Sequence, residues 1–276
     1  MSVDVAVLMP AYNADQTLRA AVNSILASTV PCDLYVIDDF SRVPVTESLE
    51  PRAGVEIIRL ERNHGLAGAL NAGLQRILAR DYRYVARMDA DDISYPERLA
   101  KQVAFLDQHP NVAVVGTWVR FIDEHTGAVV GVVPKPLEAN AIRNALFFNS
   151  AVAHPTAMLR ADVLRRIGHY SVDYPAAEDY ELWRRIAADH DIANLPEVLL
   201  DYRVSSQGQS LARRRRQLYD RLRIQLKYFD AREWRAWAGA AQTMALFAIP
   251  LTLLSRLKGR GGEGSLAGHA GVPSKS

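Results

Sequence analysis

Between Val5 and Met88, short apolar runs alternate with stretches whose apolar residues recur at helical spacing. "VAVLMP" (Val5 to Pro10) reads as a buried strand, and Leu18, Val22, Ile25 and Leu26 follow at the spacing of a helix. "DLYVIDD" (Asp33 to Asp39) and "VEIIRL" (Val55 to Leu60) read as the second and third strands. From Gly65 to Leu78, Leu66, Leu70, Leu74 and Ile77 mark another helical face, and "YVARM" supplies a fourth strand. This rhythm confines the chain to an α/β fold of βαβ units, a parallel sheet with helices on both faces. Ligands of such sheets bind beyond the carboxyl ends of the strands. The polar residues after strands one, two and four (Asn13, Asp38, Asp39, Asp89 and Asp91) are therefore expected in one crevice.

A second half follows. "NVAVVGTWVRFID" (Asn111 to Asp123) and "AVVGVVP" (Ala128 to Pro134) read as strands around the turn "EHTG", with helix-like "EANAIRNALFF" after them. Leu182, Trp183 and Ile186 give "EDYELWRRIAAD" (Glu178 to Asp189) a helical pattern, and "VLLDYRV" reads as a last extended segment.

Three aspartates fall within four residues in "DADDISYP", where like charges repel and burial penalises each of them. A turn that caps the next helix would explain one. Ser94 with Glu97 already matches a capping box ahead of Leu99, Val103 and Leu106, which leaves the aspartates surplus to capping. Grouped hard oxygen ligands suit Mg²⁺ or Mn²⁺. For Asp92, a ligand role and a solvated loop position both stay open. Asp38 and Asp39 are compatible with a turn and with hydrogen bonds to a ribose or base edge. Glu178 and Asp179, at a helix start, are compatible with simple dipole stabilisation and with chemistry. His154 reads as a structural hydrogen-bonding residue, and Arg184 or Arg185 as a candidate to orient the acidic pair or a phosphate.

Composition excludes some classes. A formal net charge of +2 gives no footprint for nucleic acid, and the single cysteine, Cys32, allows no internal disulfide and fits a reducing compartment. The segment "MSVDVAVLMPAYN" has neither a basic n-region nor a long apolar h-region, so a cytosolic location is expected.

In order, "VLMPAYN", "VIDDFS", "NHGLAGALNAGL", "RMDADD", "HPTAMLR" and "EDYELWRR" resemble the motifs of inverting family-2 glycosyltransferases with the GT-A fold, over roughly Val3 to Ser210. The resemblance implies a GT-A type, Rossmann-like, mostly parallel sheet with flanking helices over residues 1–208; the residue pattern beyond it reads as a helical C-terminal extension. It implies a nucleotide-diphosphate sugar donor, by default a UDP-sugar, with Mn²⁺ or Mg²⁺ as cofactor. Carried over, Pro10, Ala11 and Tyr12 line the nucleoside site with Asn13 beside them, and Asp39 reaches the base or ribose with Asp38 adjacent. Asp89 faces the ribose or donor sugar, Asp91 binds the metal bridging the phosphates, and Asp179 is the general base with Glu178 as its neighbour in the pocket. Many relatives carry a histidine shortly after a "YR" pair; "DYRVSSQGQS" has Ser205 instead, so water or Ser205 is left to complete the metal shell.

The segment 209–258 contains "LARRRRQLYDRLRIQLKYF" (Leu211 to Phe229), seven Lys/Arg against one acid, with Leu211, Leu218, Leu222, Gln225 or Leu226, and Phe229 along one face. It reads either as a surface helix docked on the catalytic domain or as a basic helix at an anionic membrane. Ala236 to Ser255 is uncharged for 20 residues, long enough to span a bilayer. Positive charge on both flanks favours an interfacial or hairpin-like helix, with a buried or homodimerising helix second. Residues 259–276 are expected to be a disordered tail. The expected activity is single sugar additions to a hydroxyl of a glycan or glycolipid acceptor, lipid-linked or surface-polysaccharide, peripherally at the inner face of the cell membrane. A sugar-nucleotide pyrophosphorylase would need a glycine-rich basic loop where "PAYNADQT" stands, and a catalytically inactive binding module would not need Asp91 and Asp179.

Overall fold

In the computed structural model, which describes residues 3–204 and 211–248, the alternation read from the sequence is realised strand by strand. β1 (Val5–Ala11) leads into α1 (Leu18–Leu26), β2 (Cys32–Asp38), the single turn α2 (Val45–Ser48), β3 (Val55–Arg59), α3 (Gly65–Leu78) and β4 (Tyr84–Arg87). The short β5 (Ile93–Ser94) and α4 (Arg98–Gln108) follow, then β6 (Val112–Asp123), β7 (Val129–Val133) and α5 (Ala139–Ala145). After a 3-10 turn at His154–Thr156 come β8 (Met158–Arg160), α6 (Ala161–Ile167), α7 (Glu178–Ile186), β9 (Asp191–Val204), α8 (Leu211–Lys227) and α9 (Trp234–Ala248).

The sheet order is β3-β2-β1-β4-β8-β6-β9-β5, with β7 hooked onto β6. β3, β2, β1 and β4 are mutually parallel, as βαβ connections require. β8 runs antiparallel to both β4 and β6, while β6 and β9 pair in parallel. This reversed strand is too short to carry a readable alternation in "AVAHPTAMLR".

Side chains alternate across the sheet into two cores. Ala6, Leu8, Tyr35 and Ile37 face α3 and α7, whereas Val5, Val7 and Met9 face α1 and α4. All four leucine and isoleucine positions expected on α3 are buried. On α1, Leu26 is exposed, and Ala21 takes the buried place instead. Helix α3 can lie close to the sheet because residue 73 is glycine: a Cβ there would sit 2.2 Å from Leu8 Cδ1 and 2.9 Å from Ile37 Cγ1. Overpacking of this kind costs about 1–3 kcal/mol. Gly73→Ala should lower the urea midpoint accordingly, and an unchanged midpoint would refute this contact.

The capping box does not form. Ser94 lies in β5, paired with Leu200 of β9, and its hydroxyl accepts a bond from Arg98 Nε at 2.8 Å. Helix α4 starts only after Glu97, with no side-chain cap. The cause is Pro96, which favours extended backbone at Tyr95 and a helical φ for itself.

Helix α8 buries Leu218, Asp220, Arg221, Ile224 and Gln225, leaving Leu226 outside. Its orientation is set by hydrogen bonds as well as apolar area. Asp220 accepts the Ala176 N–H at 3.2 Å, Gln225 donates to Phe147 O at 2.9 Å, and Lys227 meets Glu181 at 2.8 Å. Helix α9 turns Ala236, Gly239, Ala240 and Thr243 inward. Among the described residues no helix is long and apolar enough to cross a membrane. Ser205, residues 249–255 and the expected tail lie outside the described residues.

Candidate active site

The carboxyl ends of β1, β2 and β4 lie side by side, and the loops leaving them are stitched together. Asn13, at φ +51, donates its backbone N–H to Ser41 Oγ at 3.0 Å, and its side-chain oxygen accepts the Arg42 N–H at 2.9 Å. Pro10 and Ala11 are buried within β1, while the Tyr12 and Phe40 side chains stand at the surface, each 48% exposed. Asp38 is fully buried and accepts the N–H groups of Ser41 and Val45 at 2.8 and 3.1 Å and Arg59 Nη1 at 2.5 Å. Burial alone would raise its pKa, but those donors outweigh burial and hold the carboxylate below its ordinary value. Asp38 therefore organises the loop. Asp39 accepts the His64 N–H at 2.7 Å, at the start of α3, and burial leaves its pKa raised despite the His64 and Gly65 amides.

After β4 the chain turns sharply and gathers Asp89, Asp91 and Asp92 so that one carboxylate oxygen from each lies within 4.8 Å of the others. Asp89 forms an ion pair with Arg87, a guanidinium buried in the sheet. Asp92 is fully buried, and its Oδ1 accepts the Arg203 N–H of β9 at 3.0 Å. The solvated-loop reading of Asp92 is thereby corrected: it ties the cluster to the far half of the sheet. Asp91 is the more open of the three. Three hard carboxylates against one paired guanidinium fit an oxygen-seeking divalent cation.

Glu178 and Asp179 open α7, and both are buried, so dipole stabilisation at a solvated helix end does not describe them. Asp179 accepts Ser150 Oγ at 3.0 Å and the Tyr180 N–H at 2.7 Å. Burial raises its pKa, against the pull of Ser150, the Tyr180 amide, Lys135 and Arg87. Among the described residues, neither oxygen of Glu178 has a hydrogen-bond partner on another residue, and His154 Nδ1 is 3.8 Å away. Burial, then the charge of Asp179, push Glu178 far above the ordinary glutamate value. His154 is a buried structural residue, its Nε2 bonded to the Tyr170 hydroxyl at 2.9 Å and its ring kept neutral by burial.

A buried acid with a raised pKa holds its proton where the unfolded chain has lost it, so stability falls as pH climbs past the ordinary glutamate value. Glu178→Gln should consequently raise the melting temperature at pH 8 more than at pH 5. An equal effect at both would contradict a protonated Glu178.

Arg184 and Arg185 do not orient the acidic pair. Arg184 donates to the carbonyls of Leu146 and Tyr228, and Arg185 to those of Ile167 and His169 and to Glu181. The cation the sequence reading missed is Arg87, whose place in the alternation of "YRYVARMD" points it into the sheet two residues before Asp89. Ser150 and Lys135 carry no signal of their own, because only the fold brings them to α7.

Residues 6–168 match the family described as glycosyl transferase family 2. The amylovoran biosynthesis glycosyltransferase AmsE of Erwinia amylovora is 34% identical over 238 residues, covering 80% of this chain and 86% of that protein. The UDP-Gal:alpha-D-GlcNAc-diphosphoundecaprenol beta-1,3-galactosyltransferase of Escherichia coli is 29% identical over 210 residues, 73% of this chain and 74% of that one. Among solved structures, the mannosyltransferase PcManGT from Pyrobaculum calidifontis in complex with GDP-Man and Mn²⁺ superposes with a TM-score of 0.63 at 18% identity, covering 93% of this chain and 79% of that one. That likeness establishes a shared fold.

Proposed function

The chain belongs to glycosyl transferase family 2 and is a GT-A fold glycosyltransferase, and we propose that it moves a sugar, with inversion, from a nucleotide-diphosphate sugar to a hydroxyl of a lipid-linked glycan precursor. The observation that carries this reading is Asp179, buried and held by Ser150 and the Tyr180 amide at the start of α7. A carboxylate whose pKa is raised by burial is, when ionised, a better proton acceptor than a solvated one. Asp179 takes the proton of the acceptor hydroxyl as that oxygen forms its bond to the anomeric carbon. The bond from that carbon to the phosphate oxygen breaks on the opposite face, and the nucleotide diphosphate departs with the electron pair. Asp89, Asp91 and Asp92 would hold a divalent cation, Mn²⁺ or Mg²⁺, which supplies Lewis-acid stabilisation for charge on the diphosphate. Tyr12 and the Asn13 loop are assigned to the nucleoside, with Asp39 at the base or ribose and Asp38 as the brace of that loop.

UDP is the default nucleotide because the galactosyltransferase relative uses UDP-Gal, and its diphosphoundecaprenol acceptor supports a glycolipid here. The test is transfer of label from radioactive nucleotide sugars into an organic-solvent extract of membranes. Label that stays entirely as donor or free sugar contradicts the acceptor class, and a retained anomeric configuration in the product contradicts inversion.

We further place the protein peripherally at an anionic membrane face. The outer side of α9 carries Trp234, Trp237, Met244 and Phe247 in the open, next to arginine-rich α8. Trp234→Ser with Trp237→Ser should abolish sedimentation of the full chain with phosphatidylglycerol vesicles; unchanged sedimentation would remove α9 from the contact.

A further inference from the structure

Two cations lie in the field of Asp179 and make no direct ion pair among the described residues. Arg221 of α8 is 7% exposed, and among the described residues its guanidinium makes no hydrogen bond and no ion pair. Lys135, in the segment between β7 and α5, is half-buried, and its ammonium group likewise has no bonded partner among the described residues. Both feel the charge of Asp179, yet neither makes a direct ion pair with it; its oxygens accept from Ser150 and the Tyr180 amide. A desolvated cation without a counter-ion is unfavourable, and Arg98, fully buried and without an ion pair among the described residues, is at least bonded to Ser94 Oγ and to the carbonyls of Arg87 and Pro155. Arg87 has Asp89, Arg59 has Asp38, and Arg120 has Asp201.

Neither side chain is loosely placed. The Lys135 carbonyl accepts Trp118 Nε1 at 3.1 Å, and the next carbonyl, of Pro136, accepts Asn194 Nδ2 at 2.6 Å. Asn194 also donates to Ala151 O at 3.1 Å, the residue after Ser150, so the Lys135 segment and the support of Asp179 are parts of one bonded unit. Arg221 lies one helical turn before Gln225, which is fixed to Phe147 O, and its field reaches Tyr180 as well as Asp179. The carboxylate cluster after β4, assigned above to the donor, has its own guanidinium in Arg87.

We propose that Lys135 and Arg221 form an anion site on the acceptor side of Asp179, which takes the diphosphate of a lipid-diphosphate-linked acceptor. The site rests on the glycosyl-transfer reading and deepens it by naming the group the acceptor must carry. An anion between the two cations restores the missing counter-charge and presents the attached sugar to the base. Helix α8, which supplies Arg221, packs against α9 with its exposed tryptophans, so the phosphate site and the lipid-facing surface belong to one two-helix unit.

The probe is octyl diphosphate, titrated calorimetrically into the full chain in EDTA, with UDP in Mn²⁺ as the donor-side control. Losing one charge-assisted pair weakens binding by about tenfold or more. Arg221→Met and Lys135→Gln are each expected to show that loss for octyl diphosphate while UDP affinity stays unchanged, and uncharged octyl glucoside should not distinguish variants from wild type. Should Arg221→Met fail to fold, Lys135→Gln, on a half-buried connecting segment, carries the test. Absence of octyl diphosphate binding by the wild type, or equal binding by the variants, overturns the site. Parallel loss of UDP binding also overturns it, by moving both cations to the donor diphosphate, and leaves the transferase reading intact.

Discussion

Asp179→Asn is expected to cut turnover by about 10²–10⁴-fold, the usual contribution of a positioned general base. The asparagine is nearly isosteric: its one amide oxygen can keep the Tyr180 N–H, held at 2.7 Å in the native site, and its NH2 can donate to Ser150 Oγ, whose own proton has Val152 O as an acceptor at 3.1 Å. The pocket is therefore preserved while the proton acceptor is lost. Donor affinity should hold, so the defect appears in kcat. The wild-type pH profile supplies an independent check. Because burial raises the pKa of Asp179, the acid limb should fall at a pH above the ordinary aspartate value of 3.8, and the variant should lose that limb. Undiminished turnover in the purified variant would remove Asp179 from the chemistry.

Asp91→Asn is expected to act on the donor instead. Asp91 is the most open member of a cluster whose three carboxylate oxygens fall within 4.8 Å of one another, and replacing it removes one anionic ligand and one mutual repulsion. UDP affinity measured in Mn²⁺ should drop more than about tenfold, or at least about 1.4 kcal/mol. The melting temperature without metal should stay level or rise. A stability loss with intact donor affinity would show that Asp91 braces the turn, as Asp38 braces the loop after β2 through Ser41, Val45 and Arg59.

The sequence carried the first half of the fold because its signals are local. The leucines of α3 and the continuous apolar runs of β1 and β2 state their periods within a few residues. β8 could not be read, since a three-residue strand gains its identity only from β4 and β6 on either side. Ser94 misled for the opposite reason: a valid local capping pattern was overridden by tertiary pairing with β9 and by Pro96. Spacing left the face of α8 open between Gln225 and Leu226; Gln225 turns inward, because Asp220 and Gln225 hold the helix through hydrogen bonds that no periodicity records.

The site followed the same division. Asp89, Asp91 and Asp179 lie in compact motifs and were visible as a chemistry, whereas their environment was not. Arg87, Ser150 and Lys135 reach the acidic groups from β4, from the segment before the 3-10 turn and from the link after β7. Such groups, far apart along the chain, decide which carboxylate stays paired, which keeps a proton and which can accept one.

The most direct measurement is nucleotide release from a panel of nucleotide-diphosphate sugars with Mn²⁺ or Mg²⁺ and a membrane lipid extract, run on wild type and Asp179→Asn side by side. Release from one donor by the wild type, stopped by EDTA and reduced by about 10²–10⁴-fold in the variant, is the predicted result. Release that proceeds equally in both proteins, or from no donor at all, would contradict a glycosyl transfer driven by Asp179.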